Sequence, residues 1–360
     1  MTSREIITAL LRKDIPERVG VNEHFWPHLI ENAWADQGIE PGENLVERFD
    51  LDIANVQWFW VPDPRPDLAE TVEEADEWIT RRDGWGSIKK EWKRTAGVPE
   101  HVGFTLTSPE TWRKDFRDAT QAIDVREHTD VEGIRSRLEQ LRSGERYVTY
   151  SVGTVFEEMR RIMGDVTMLE SLLLEKEFIH DFCTTIVDKE IEYFQLLFEE
   201  CGLPDGVHVY DDLGYTNAPF ASPACHREMV LPYHKRLVSL FKDHGLGVIL
   251  HTCGDFRPHL PCIVEAGFDC IQAMEAKTGM NVAELAEDWG RKLCFMGNID
   301  VRVLESGDRT AIQQEVLGKL NAMRKLRAPY VFMSDHSISP SVDLADYEFA
   351  LSLYRDNCAY

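Results

Sequence analysis

Long apolar runs are missing from this 360-residue chain, and so is any excess of positive charge. No window approaches the ~18 consecutive apolar residues of a membrane-spanning helix, which excludes that class. The start, MTSREIITALLRKD, is broken by charge every few residues and lacks the apolar block of a secretory leader. Lys and Arg number 39 against 63 Asp and Glu, for a formal net charge of −24. Such an acidic surface repels phosphate backbones, so neither nucleic acid nor an anionic membrane is an expected partner. Internal repeats and low-complexity stretches are also absent. The eight cysteines are scattered rather than framed as in a small secreted domain. Reduced, mostly packed thiols in a cytoplasmic protein are the expectation for all but Cys253.

What is present is an alternation of strand-like and helix-like segments. Short apolar or β-branched runs occur at Val19–Glu23, Ile53–Trp58, Tyr147–Val152, Val207–Asp212, Gly247–His251, Phe268–Met274, Leu293–Asn298 and Tyr330–Ser334. Between most of them lies helical periodicity: at least two helices within Phe156–Cys201, then single ones at Pro232–His244, Val282–Trp289 and Thr310–Leu326. Eight strands alternating with helices match an α/β fold, the (β/α)8 TIM barrel, with a small β-rich insertion after the second strand. The insertion, residues 59–112, starts with the linker-like Pro62–Pro66. An acidic run, Asp67–Glu77, follows and reads as a solvated helix face. Asp83-Gly84 then signals a hairpin. The whole chain, 1–360, reads as one barrel domain.

Barrel active sites form at the C-terminal ends of the strands. The fifth run ends in His251-Thr252-Cys253-Gly254-Asp255, and alternate side chains of an extended chain share a face, so His251 and Cys253 can address one ion. A His–Cys pair that only packs at the rim is the alternative. Other strand ends supply Asp211 and Asp212, Glu275, Asp300, and Asp335 with His336. Ligand-type residues ending successive strands point to one functional mouth. Asp300 can equally start the following helix as an N-cap. His226 and His234 read as surface or packing residues. Phe25, Trp26, Trp58, Phe59 and Trp60 either wall an apolar substrate pocket or belong to the core.

The stretches VYDDLGYTNAPFASPACHREMVLPYHKRL, VILHTCGD, CFMGNID and FMSDHSISP, in that order, resemble the uroporphyrinogen decarboxylase superfamily. Its zinc-dependent branch, the corrinoid methyltransferases (methylcobamide methyltransferases among them), is the nearer likeness. The resemblance implies a barrel whose zinc is held by His251, Cys253 and Glu275. That branch's later Cys is missing, because no Cys falls between Cys294 and Cys358. Either His336 (or Asp335) replaces it or the zinc site is absent. The decarboxylase carries an arginine pair after the first strand, where this chain has Val21-Asn22-Glu23-His24-Phe25-Trp26. A mouth lined with Asp211, Asp212 and Asp300 would also repel a polycarboxylate.

The implied activity is zinc-dependent transfer of a methyl group between a small donor or acceptor, a thiol or a methoxylated compound, and cobalamin carried by a partner corrinoid protein. A metal site with a single Cys leans toward Lewis-acid demethylation of an ether. Tyr150, Asp211 and Asp212 are candidates for orienting the substrate, beside His336. A decarboxylase-like carboxy-lyase and a non-catalytic binding barrel are the alternatives, and a homodimer is possible for such a barrel.

Overall fold

The structure, a computed structural model, describes residues 1–26, 29–93 and 99–360. Its strands are β1 (Gly20–Val21), β2 (Ile53–Phe59), β3 (Glu70–Glu74), β4 (Trp78–Arg82), β5 (Ser87–Trp92), β6 (Glu100–Phe104), β7 (Tyr147–Gly153), β8 (Gly206–Tyr210), β9 (Gly247–Thr252), β10 (Cys270–Ala273), β11 (Cys294–Gly297) and β12 (Tyr330–Phe332). Eight of these form one parallel sheet in the order β1-β12-β11-β10-β9-β8-β7-β2. Each of the eight sequence runs yields one of its strands. The ladder is not closed, because β1 and β2 do not pair. That gap is crossed by the backbone N–H of Asp52, which donates to Val21 O at 2.8 Å. The Asp52 carboxylate in turn accepts from Val21 N at 2.7 Å and from Arg18 at 2.7 and 2.8 Å. A curled, nearly closed half-barrel is therefore the observed architecture.

Parallel neighbours need long crossovers, and helices supply them. Val155–Leu174 and Lys176–Glu200 join β7 to β8, Leu231–Asp243 precedes β9, and Arg309–Leu326 precedes β12. The last is capped by the Asp308 carboxylate, which accepts from Thr310 N and Ala311 N. The N-terminal helix Ser3–Leu11 is fixed by a Thr2–Glu5 capping box. Its Ile6, Ile7, Leu10 and Leu11 pack on Ile53, Tyr147, Ile249, Cys270, Cys294 and Val331. Most of these lie at or near the N-terminal ends of their strands. The helix thus plugs that end of the barrel with apolar side chains, and an open cavity remains at the opposite end.

The insertion is a four-stranded antiparallel sheet, β3-β4-β5-β6, whose hairpin turn from β4 to β5 contains Asp83-Gly84. Residues 94–98 of it lie outside the described residues. The acidic run is not a helix face. Its centre, Glu70–Glu74, is the exposed edge strand β3. An extended conformation sets Glu70 2.6 Å from Arg82 and Glu74 2.6 Å from Lys93. A helix would instead have stacked like charges three and four residues apart.

Candidate metal centre and cavity

A cavity of about 790 Å³ opens at the C-terminal end of the parallel sheet. His251, Cys253, Glu275 and His336 line it, as does Asp212. Their donor atoms form two groups that share Cys253: Asp212–His251–Cys253 and Cys253–Glu275–His336, with the atoms of each within 4.8 Å of one another. Cys253 Sγ lies 3.4 Å from His251 Nε2. The corresponding edge of a tetrahedral zinc site, with ordinary Zn–S and Zn–N lengths, is about 3.5 Å. One thiol, two imidazoles and two carboxylates fit the donor preferences of zinc.

Local structure explains why these residues meet. The register of β9 against β10 sets His251 beside Gln272, whose Oε1 lies 2.5 Å from His251 Nδ1. The Tyr210 ring, paired with His251 across β8 and β9, stacks on the imidazole at 4.6 Å and 11°. The Asp212 carboxylate accepts from Cys253 N at 2.8 Å, and Glu275 Oε2 accepts from Gly254 N at 2.9 Å. Gly254 has φ +75°, and a Cβ there would fall 2.2 Å from the Gly214 carbonyl carbon. Only glycine allows the strand to turn so tightly behind Cys253. His336 stacks on Trp26 with ring centres 6.2 Å apart.

Burial and neighbouring carboxylates set the protonation of the site, and Lys277 lies 2.7 Å from Glu275. Burial, helped by Asp212 and Glu275, raises the Cys253 thiol well above its ordinary value. Burial also lowers the imidazolium tendency of His251, against the opposing pull of Asp212. At the mouth, burial and then the Asp212 charge push Glu157 up to about 8. Deeper in, burial takes Glu23 to about 8, although Ser334 donates to it from both Oγ and N. Arg160 is the one Lys or Arg lining this cavity among the described residues. It is committed to Glu157 at 2.7 Å and Asp165 at 3.0 Å, with Asp212 at 3.9 Å.

A family model described as Uroporphyrinogen decarboxylase (URO-D) matches residues 133–356. The chain belongs to the URO-D family. Among solved structures, a methyltransferase from Methanosarcina mazei shares the fold, with a TM-score of 0.69 and 14% identity over 99% of each chain. A Xaa-Pro dipeptidase with bound methionine matches at a TM-score of 0.30 and 10% identity, over 62% of this chain and 56% of that one, and carries no argument. A search by sequence finds no matching curated protein.

Within this URO-D barrel, several residues expected at the mouth lie elsewhere. Tyr150 is turned outward: Thr149 and Ser151 line the cavity, so strand parity sends Tyr150 toward the helices, where its hydroxyl donates to Gly202 O at 3.0 Å. Asp211 is likewise on the wrong parity. It is fully buried behind the cavity, 2.6 Å from His234 Nε2, and accepts from Glu157 N at the start of the helix Val155–Leu174. Its substrate-orienting role is corrected to a structural one.

Asp300 caps the helix Val301–Glu305, accepting from Arg302 N. Asp335 ties two loops, accepting from Val301 N and Ala276 N. Phe25, Trp26 and Trp58 line the cavity, whereas Phe59 stacks on Tyr193 at 3.7 Å and Trp60 packs against Gly153. His226 and His234 are buried rather than on the surface, next to His259.

The cavity also holds His24, His208, Glu157 and Arg160, which sequence reasoning missed, and Gln272 stands directly behind His251. One signal was available: the alternation His208, Tyr210, Asp212 along a single strand face. The eight cysteines are all free. Cys225 and Cys358 are half-buried, as is Cys253, and the other five are buried. No helix among the described residues is long and apolar enough to cross a membrane.

Proposed function

We propose that this URO-D family chain is a zinc-dependent methyltransferase that moves a methyl group between a small substrate and a corrinoid carried by a partner protein. The observation that carries the reading is the pair of donor groups sharing Cys253. His251, Cys253, Glu275 and His336 would hold the metal, with Asp212 as a fifth donor in place of the absent second thiolate. Zinc bound there would supply Lewis acidity, activating a thiol or drawing electrons from an ether oxygen. The partner's corrinoid would supply the cobalt that exchanges the methyl group.

The chain's own residues prepare the site. Gln272 orients His251, and Asp212 grips the backbone of Cys253. Trp26, Trp58, Tyr210 and Phe25 exclude water and offer flat apolar walls. With a single thiolate and these walls, a methoxylated compound suits the cavity better than a thiol. The fold likeness to a methyltransferase supports the same reading.

The family's printed description favours a second reading, a carboxy-lyase acting on a polycarboxylate. The commitment of Arg160 to carboxylates argues against it. Metal analysis of the purified protein tests the proposal. About one zinc per chain, lost in Cys253→Ala, is expected. Metal-free protein with native circular dichroism would overturn it and move weight to a binding barrel, and carbon dioxide release from a porphyrinogen would move it to the lyase.

A further inference from the structure

Among the described residues, Glu275 is the one candidate metal donor that already holds a lysine or arginine in hydrogen-bonding contact. Lys277 Nζ lies 2.7 Å from Glu275 Oε1, with the lysine side chain 46% exposed and the glutamate 7%. The other carboxylate of the group, Asp212, faces Arg160 only at 3.9 Å. Its oxygens accept instead from neutral donors, the Cys253 N–H and the Tyr210 hydroxyl.

Local chain geometry builds the Lys277 contact in. Lys277 sits two residues after Glu275, in the short helical turn Ala276–Thr278 that follows β10. Thr278 donates from both N and Oγ1 to Glu275 O, and Asp335 accepts from Ala276 N at 2.7 Å, so the turn is tied at both ends. Lys277 lines a second cavity of about 280 Å³, which shares Trp26, His336 and Ser337 with the barrel cavity. It does not line the barrel cavity itself. The ammonium therefore reaches Glu275 from beside the mouth and leaves the substrate space open.

Glu275 is thus held through both oxygens: Oε2 accepts from Gly254 N at 2.9 Å, and Oε1 meets Lys277. A carboxylate shared between an ammonium and a metal dication gives less to each, and the two cations repel across it. A catalytic zinc site keeps one position exchangeable. Glu275 is the donor whose departure has a partner waiting.

We propose that Lys277 is a positioning residue that competes with the metal for Glu275 and receives that carboxylate when a substrate heteroatom takes its place. This deepens the methyltransferase reading and rests on it for the presence of the metal alone.

Two measurements test this: zinc affinity by chelator competition, and uptake of 2-mercaptoethanol by the cobalt(II)-substituted protein, read from its visible spectrum. Lys277→Met is expected to bind zinc about tenfold more tightly and the thiol about tenfold more weakly than wild type, the scale of one charge-assisted hydrogen bond partly open to water. Lys277→Arg is expected to stay near wild type on both. In a Glu275→Gln background, Lys277→Met is expected to change neither. Lys277→Met equal to wild type, or a change of the same size in the Glu275→Gln background, would overturn the proposal and leave the metal site standing. Wild type that takes up neither zinc nor cobalt would overturn both.

Discussion

His251 Nδ1 lies 2.5 Å from Oε1 of Gln272, its register partner on the adjacent strand. A carboxamide oxygen can only accept, so Nδ1 carries the proton and the Nε2 lone pair is left facing Cys253 Sγ at 3.4 Å. The sheet register thereby selects the tautomer a metal requires.

Replacing Gln272 removes that selection without touching a donor atom. Gln272→Leu is expected to bind zinc about 10- to 100-fold more weakly, as read by competition with a chromophoric chelator. Gln272→Glu, which still accepts, is expected to stay near wild type. Equal affinity in all three would show that the tautomer is fixed by something else.

Asp211 and Asp212 are adjacent in sequence and opposite in consequence. Asp211→Ala strands His234 and the N–H of Glu157 in the interior and should cost about 2–4 kcal/mol of stability, with metal content unchanged. Asp212→Ala should lower metal affinity. Urea midpoints and metal content measured on both variants separate the two roles.

Three buried histidines should pull stability down on acidification below about pH 6.5. Burial lowers His259 to about 4, His24 to about 3 and His226 to about 2. All three are neutral in the fold but take up a proton in the unfolded chain from their ordinary value of 6.5 downward. The unfolded state therefore binds more protons in this window, and the stability they contribute is complete above pH 6.5 and lost below it. Glu23 and Glu157, both raised to about 8, act in the opposite sense and weaken the fold as pH rises from about 4.5 to 8. Calorimetric Tm between pH 4 and 8 is expected to show the acid limb, and His259→Gln to flatten it; a slope unchanged in that variant would contradict the assignment to His259.

Period-two and 3.6-residue patterns depend on local chemistry, so the eight strands and the helices between them were legible in the chain itself. So was the hairpin at Asp83-Gly84. The donors His251, Cys253, Glu275 and His336 could be picked out because strand ends of a barrel share one mouth.

Which member of each adjacent pair faces that mouth was decided by tertiary structure. A strand's parity relative to the barrel axis is set by its neighbours, so the outward turn of Tyr150 and the burial of Asp211 against His234 could not be read from residue type. The extended form of the acidic run likewise depends on Arg82 and Lys93, which reach it only after the insertion has folded. The sequence by itself determined the elements and the kinds of donor available. Register, parity and burial, which are properties of the assembled barrel, decided which of those donors meet.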